Sequence, residues 1–273
     1  MKIDRNAPVG VFDSGIGGLT VAREIMRNLP SEKIVYFGDT ARVPYGSKSK
    51  ETIIRYSRQI IRFLLEQQVK AIVIACNTAS AFALDAVRDE LSIPVLGVIE
   101  SGAVVAAKET KNKRVGVIGT IGTVGSGIHE SCLHRLDPEI TVIGKACPLF
   151  VPLVEEGWLH DPVTTQVAER YLDELKEKEI DTLILGCTHY PLLRSTIHEV
   201  MGDGVRLVNP AYESALELRS VLKKEGLLRQ EGQKEEFPYR FYVSDLADKF
   251  KSFANSILPY NVEMTQKIDI EKY

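Results

Sequence analysis

Short runs of aliphatic and β-branched residues recur along the chain, separated by longer stretches with helical spacing of apolar positions. Val9 to Phe12, Ile34 to Phe37, Ala71 to Ala75 and Val95 to Val98 form a first series. Val115 to Ile118, Thr141 to Ile143, Thr182 to Leu185 and Val205 to Val208 form a second, and Arg240 to Val243 closes the pattern. Runs of this kind carry no polar alternation, so they read as parallel strands covered on both faces. Between them, Glu51 to Gln68 sets Ile53, Ile54, Ile60, Ile61, Leu64 and Leu65 along one stripe, and Thr164 to Lys178 does the same with Val167, Tyr171, Leu172 and Leu175. A third helix is expected over Tyr212 to Glu225. The alternation predicts an α/β protein with mostly parallel sheets flanked by helices. The charged runs 174–179 and 229–236 read as solvated surface.

The two series echo each other. Val9-Gly10-Val11-Phe12-Asp13-Ser14 resembles Val115-Gly116-Val117-Ile118-Gly119-Thr120, and Ala71-Ile72-Val73-Ile74-Ala75-Cys76 resembles Thr182-Leu183-Ile184-Leu185-Gly186-Cys187. Buried strands always look somewhat alike, but that does not account for a hydroxyl after each first strand and a cysteine after each later one. Two similar domains are therefore expected, related by a pseudo-two-fold axis with an active site in the cleft between them. The first would be discontinuous, 1–98 plus 211–273, because the residues after Pro210 are too few for a third domain of this class. The second would span 99–210.

Composition narrows the function classes. The 273 residues are 44% hydrophobic and 26% charged, which is ordinary for a globular protein. Lys and Arg number 34 against 37 Asp and Glu, a net charge of −3, so there is no basic field for a nucleic acid or an anionic membrane. Apolar runs fall far short of the roughly 18 residues a spanning helix needs. The opening MKIDRNAPVGVF puts charges where a signal peptide would be apolar, which points to a cytoplasmic protein. Four cysteines without a CxxC pair suit free thiols rather than a disulfide scaffold or zinc ribbon.

Cys76 and Cys187 stand where strands end and polar residues begin, Asn77-Thr78 and Thr188-His189. In open α/β sheets ligands bind beyond such carboxyl ends, where helix N-termini offer N–H groups that hold carboxylates and lower a thiol's pKa. Cys132 and Cys147 lack this context and read as inert core residues. Asp13-Ser14-Gly15-Ile16-Gly17-Gly18 follows the first strand, with glycines that let the backbone approach a ligand and a serine hydroxyl beside them. A dinucleotide fingerprint would need Gly or Ala where Thr20 stands, and no GxxxxGK[ST] occurs, so a nucleotide cradle is not expected. A zinc site from Cys187, His189, Cys76 and a carboxylate ranks low, and no metal is expected. His189 gains interest from its neighbour Cys187, whereas His129, His134, His160 and His198 read as surface or structural.

Two thiols approaching one carbon from opposite sides, their sulfurs about 6 to 8 Å apart, could remove a proton from one face and deliver one to the other. That inverts a stereocentre, provided one sulfur is thiolate and the other thiol.

FDSGIGG (12–18), YFGDTARVPYG (36–46), ACNTAS (75–80) and GCTHYPLL (186–193) together resemble the glutamate racemase family, in order and spacing, over nearly the whole chain. The resemblance implies cofactor-independent interconversion of L- and D-glutamate, supplying D-glutamate for peptidoglycan, by a homodimer. It implies that Cys76 serves D-glutamate and Cys187 serves L-glutamate, with Asp13 assisting Cys76 and His189 assisting Cys187. Asp39 and an acid in PLFVPLVEEGW would play supporting roles, the acid placed at Glu155 with Glu156 as the alternative. Substrate contacts would come from Asp13, Ser14, Tyr45, Gly46, Asn77, Thr78, Thr120, Thr123, Thr188 and His189. These types suit the ligand, since two carboxylates want hydroxyl, amide and helix N–H donors and an ammonium wants a carboxylate. The competing readings are a racemase for aspartate or another acidic amino acid and a non-catalytic dicarboxylate-binding protein.

Overall fold

A computed structural model describes residues 3–230 and 238–273. The strands are β1 Val9–Asp13, β2 Ile34–Gly38, β3 Ala71–Ile74, β4 Val95–Gly97, β5 Arg114–Gly119, β6 Thr141–Ala146, β7 Thr182–Gly186, β8 Arg206–Val208, β9 Tyr239–Val243 and β10 Thr265–Lys267. The helices are α1 Leu19–Asn28, α2 Lys50–Glu66, α3 Asn77–Arg88, α4 Ile99–Glu109, α5 Ile121–Gly125, α6 Ile128–Leu136, α7 Phe150–Glu155, α8 Pro162–Glu177, α9 Arg194–Met201, α10 Pro210–Lys224 and α11 Ala247–Ile257.

Every strand pair is parallel, in two sheets ordered β10-β9-β2-β1-β3-β4 and β6-β5-β7-β8. The order 2-1-3-4 of the first sheet thus returns as 6-5-7-8 in the second. Registers match as well, with Phe12 opposite Ile74 and Ile118 opposite Leu185. The echo in the sequence is a repeated topology. In both sheets the chain leaves the first strand to one side and returns on the other, so the crevice at the reversal lies between β1 and β3 and between β5 and β7.

The parallel strands are Val/Ile-rich because both faces are covered. One face of the first sheet packs Val9, Val11 and Val73 against Leu19, Ile25, Leu218 and Leu222 of α1 and α10. Its other face packs Phe12, Phe37, Ile72 and Ile74 against Ile53, Ile60, Phe63 and Leu64 of α2. Each such side chain contributes about 1.5–3 kcal/mol on burial. The second sheet is covered by α7, α8 and α9 on one side and by α4 and α6 on the other. The C-terminal strands β9 and β10 extend the first sheet beyond β2.

Helix starts follow local chemistry: Ser49 caps α2, Asp161 caps α8 with Pro162 in its first turn, and Asn209 caps α10 before Pro210. The last two caps move those helices upstream of the apolar positions that announced them. Strand β6 is an edge and only half-buried, unlike its neighbours, and runs on to Ala146. The expectation of a solvated run at 229–236 fails at its start, because Arg229 is buried, its N–H donating to Glu32 Oε1 at 2.9 Å and its Nη1 to the Ser31 carbonyl at 3.2 Å. Positions 231–236 of that run lie outside the described residues. No described helix is long and apolar enough to cross a membrane.

Candidate active site

A cavity of about 290 Å³ lies where the carboxyl ends of the two sheets meet. Its wall takes Ser14, Tyr45, Gly46, Cys76, Asn77 and Thr78 from the first sheet's loops, and Thr120, Glu155, Cys187, Thr188 and His189 from the second's. Val43, Pro44, Val151 and Pro152 complete it. These four were not anticipated, although they sit inside the segments 36–46 and 148–158 that drew attention for other residues. No lysine or arginine is among the described lining residues, so an anion here would be met by hydroxyls, the backbone amides opening α3 and the imidazole of His189.

The two cysteines reach the cavity in different surroundings. Cys76 is the N-cap of α3, its sulfur accepting from the Ala79 N–H at 3.5 Å and lying 3.6 Å from Ser14 Oγ. Despite that helix terminus its pKa is not lowered. Burial and the nearby Asp13 carboxylate push the thiol up to about 12, against the weaker pull of the Ala79 N–H and Ser14. Cys187 precedes a single 3-10 turn, Tyr190–Leu193, and its sulfur lies 3.8 Å from His189 Nδ1. His189 Nε2 in turn meets Glu155 Oε1 at 3.2 Å. Burial alone would depress the His189 pKa, but Cys187, Glu155 and the Asp13 charge outweigh it and raise it to about 10. The contact to His189 holds the Glu155 carboxyl below its usual range. Glu156, the alternative acid, faces solvent.

Three expected site residues do not line the cavity. Asp13 is fully buried beneath it, where desolvation raises its pKa against the opposing charge of His189. It accepts from the Gly15 N–H at 2.9 Å and from Thr188 Oγ1 at 3.4 Å, and so faces the Cys187 side as well as Cys76. Asp39 is also fully buried and accepts from Tyr45 Oη at 2.5 Å, Arg42 Nε at 2.7 Å and Ser244 Oγ at 2.8 Å. Its partner Tyr45 lines the cavity. Thr123 lies behind Thr78 and Thr120, and the three hydroxyls hydrogen-bond around a triangle with sides of 3.0 to 3.1 Å that bridges the halves. Asn77 Oδ1, by contrast, is buried with no protein partner among the described residues, leaving an acceptor at the cavity wall.

Gly17 of DSGIGG makes room for the other half. A Cβ on Gly17 would stand 2.4 Å from both Thr188 Oγ1 and His189 Nδ1, so its hydrogen is what lets the second half's loop seat against the first. At Gly46 a Cβ would come within 2.6 Å of Thr120 Cβ, again across the halves.

Residues 17–216 match the model of the Asp/Glu/Hydantoin racemase family. The glutamate racemase of Geobacter metallireducens is 48% identical, over 96% of this chain and 97% of its own. Among solved structures, glutamate racemase isoform RacE1 from Bacillus anthracis superposes with a TM-score of 0.93 at 42% identity, covering 97% of this chain and 98% of that one. The Francisella tularensis glutamate racemase, solved in complex with D-glutamate, gives 0.91 at 40% identity over 98% of this chain and all of its own. A doubled α/β topology that brings two cysteines to one small cavity and likenesses of this extent lead to one assignment: the chain belongs to the Asp/Glu/Hydantoin racemase family.

Proposed function

We propose that this chain interconverts L- and D-glutamate without a cofactor, Cys76 and Cys187 passing protons to and from opposite faces of the α-carbon. The observation that carries the reading is that the two thiols, one from each half, line the same cavity, which is sized for a small molecule. The complex of the Francisella relative with D-glutamate supports the choice of substrate.

From L-glutamate, Cys187 takes the α-proton while Cys76 delivers one from the other face; from D-glutamate the roles reverse. His189, tied to Glu155, compensates the Cys187 thiolate. In the direction from L-glutamate the Cys76 thiol is the donor, in keeping with its raised pKa, and from D-glutamate it must first give up that proton. The substrate carboxylates are held by the hydroxyls of Ser14, Thr78, Thr120 and Thr188 and by the amides of Gly46, Asn77 and Thr78. Asn77 Oδ1 accepts from the ammonium and the buried Asp13 balances its charge. Thr123 sets the hydroxyl triangle, and Asp39 fixes Tyr45. Preorganised donors in the cavity wall stabilise the negative charge that builds on the α-carboxylate as the proton leaves. The product serves peptidoglycan synthesis in the cytoplasm, and the working form is a homodimer.

The test is purified protein with L-glutamate in heavy water and no added cofactor, followed by NMR and chiral analysis. Deuterium at the α-carbon and equal amounts of both enantiomers are expected. Absence of exchange would overturn the reading in favour of a binding protein, and faster turnover of aspartate would move the assignment to that substrate.

A further inference from the structure

Thr20 drew notice in the sequence only because it breaks a dinucleotide fingerprint. In the fold its hydroxyl is fully buried and lies 2.9 Å from two carbonyl oxygens, those of Gly17 in its own half and Thr188 in the other. One hydroxyl has one proton to give. The Gly17 carbonyl already accepts the Thr20 backbone N–H at 3.0 Å, which leaves the hydroxyl proton for Thr188. The Thr188 carbonyl cannot be served by its own turn. Pro191 stands where the i+3 donor would be and has no N–H, while the Leu192 N–H goes to the His189 carbonyl at 3.0 Å. A buried carbonyl left without a donor is destabilising, so the bond from Thr20 is what seats this carbonyl. The contact falls beside Gly17, whose missing side chain makes room for Thr188 Oγ1 and His189 Nδ1.

We infer that Thr20 is a positioning residue: its hydroxyl clamps the Thr188–His189 loop across the halves and so sets His189 against Cys187. The inference rests on the two-cysteine racemase reading. It bears on the Cys187 side, because the clamped loop carries His189, while among the described residues neither Thr20 nor His189 is hydrogen-bonded to Cys76.

A racemase has an equilibrium constant of one, so any variant keeps kcat/KM equal in the two directions, and rate alone cannot reveal which side was damaged. Isotope effects can. Thr20→Val keeps the shape and removes the proton donor, and is expected to lower kcat/KM about 10- to 100-fold. The α-deuterium isotope effect on kcat/KM should rise toward its limit from L-glutamate, whose proton Cys187 removes, and fall from D-glutamate. Thr20→Ser, which restores the hydroxyl, should stay within about threefold of the parent rate with its isotope effects unchanged. Thr20→Ala is read in the same way if the valine variant does not fold. Parent-like rates in the valine or alanine variant, isotope effects that move together in both directions, or loss of fold in both variants would overturn the proposal. An unaltered protein that puts no solvent deuterium into glutamate would instead overturn the racemase reading, whatever the Thr20 variants do.

Discussion

The loop after β3 and the loop after β7 occupy equivalent places in the repeated topology, and each carries a cysteine at the cavity, yet they handle that cysteine differently. After β3 the chain turns at once into the twelve-residue helix α3, and Cys76 is its cap, in contact with a backbone amide and a serine. After β7 the chain makes a short 3-10 turn, and Cys187 meets a histidine that is itself held by Glu155. The proposed mechanism would use the imidazole to balance charge on the Cys187 side, whereas burial beside the Asp13 carboxylate raises the Cys76 thiol. A two-base inversion needs one of each at any moment. The repeated topology supplies the geometry, and the unlike loops are where the proposed mechanism would find its asymmetry.

The largest effects should come from removing a sulfur. Cys76→Ala and Cys187→Ala are each expected to lower racemisation by at least about 10³-fold, at the upper end of what a positioned acid or base contributes. What separates them is the partial reaction. Cys76→Ala should still wash the α-proton of L-glutamate into heavy water through Cys187, and Cys187→Ala should do so only with D-glutamate, both followed by NMR. Equal washout of both enantiomers by either variant would erase the distinction between the loops. A leaving-group analogue should show the same one-sidedness in elimination.

Next in size is the histidine side. His189→Asn removes the partner of Cys187 and is expected to cut kcat about 10²-fold, while Glu155→Gln, which removes only the charge steadying that imidazole, should cost about tenfold. Both losses should appear as a larger α-deuterium isotope effect from L-glutamate than from D-glutamate. If Asp13→Asn instead lowers turnover without favouring either direction, its buried position between the two loops is the reason.

Much of this was legible before any coordinates, and for a physical reason. Parallel strands covered on both faces must be continuous runs such as Ala71–Ile74 and Thr182–Gly186, so their ends, and the residues stationed there, stand out. Helix beginnings at Pro162 and Pro210 were less visible, because caps and N-terminal prolines precede the apolar stripe. The strand β10 at Thr265–Lys267 has no apolar run to announce it, being a short exposed edge. Long-range contacts were out of reach altogether. Nothing local says that Asp39 binds Tyr45 and Ser244 rather than a ligand, or that Gly17 is empty to admit His189. The helix terminus at Cys76 suggested an acidified thiol, and burial, with the Asp13 charge beside it, reverses the sign.

Seating of one loop on the other half gives a moderate effect. Gly17→Ala must displace Thr188 or His189 by tenths of an ångström or more, at a cost of about 1–3 kcal/mol in stability and roughly tenfold in kcat. Denaturant midpoints and initial rates check the two figures independently. A variant that is destabilised but turns over normally would show that the loop tolerates displacement, and that the Cys187 side is less finely set than its contacts suggest.

The effects that assign protons to loops lie in the pH dependence of stability in ligand-free protein. The folded state raises the His189 pKa from 6.5 to about 10, so folding favours its protonated form. The stabilisation this represents is fully present below pH 6.5 and is lost as pH rises toward 10. The Cys76 thiol is raised from 9.0 to about 12, so its contribution is fully present below pH 9.0 and fades only above it. Urea midpoints measured across this range should therefore decline in two overlapping stages. His189→Asn should flatten the first stage and leave the second, while Cys76→Ala should do the reverse. If both substitutions flatten the same stage, the loops titrate as a single coupled network across the cavity, and the division of one thiolate side from one thiol side gives way to a shared proton.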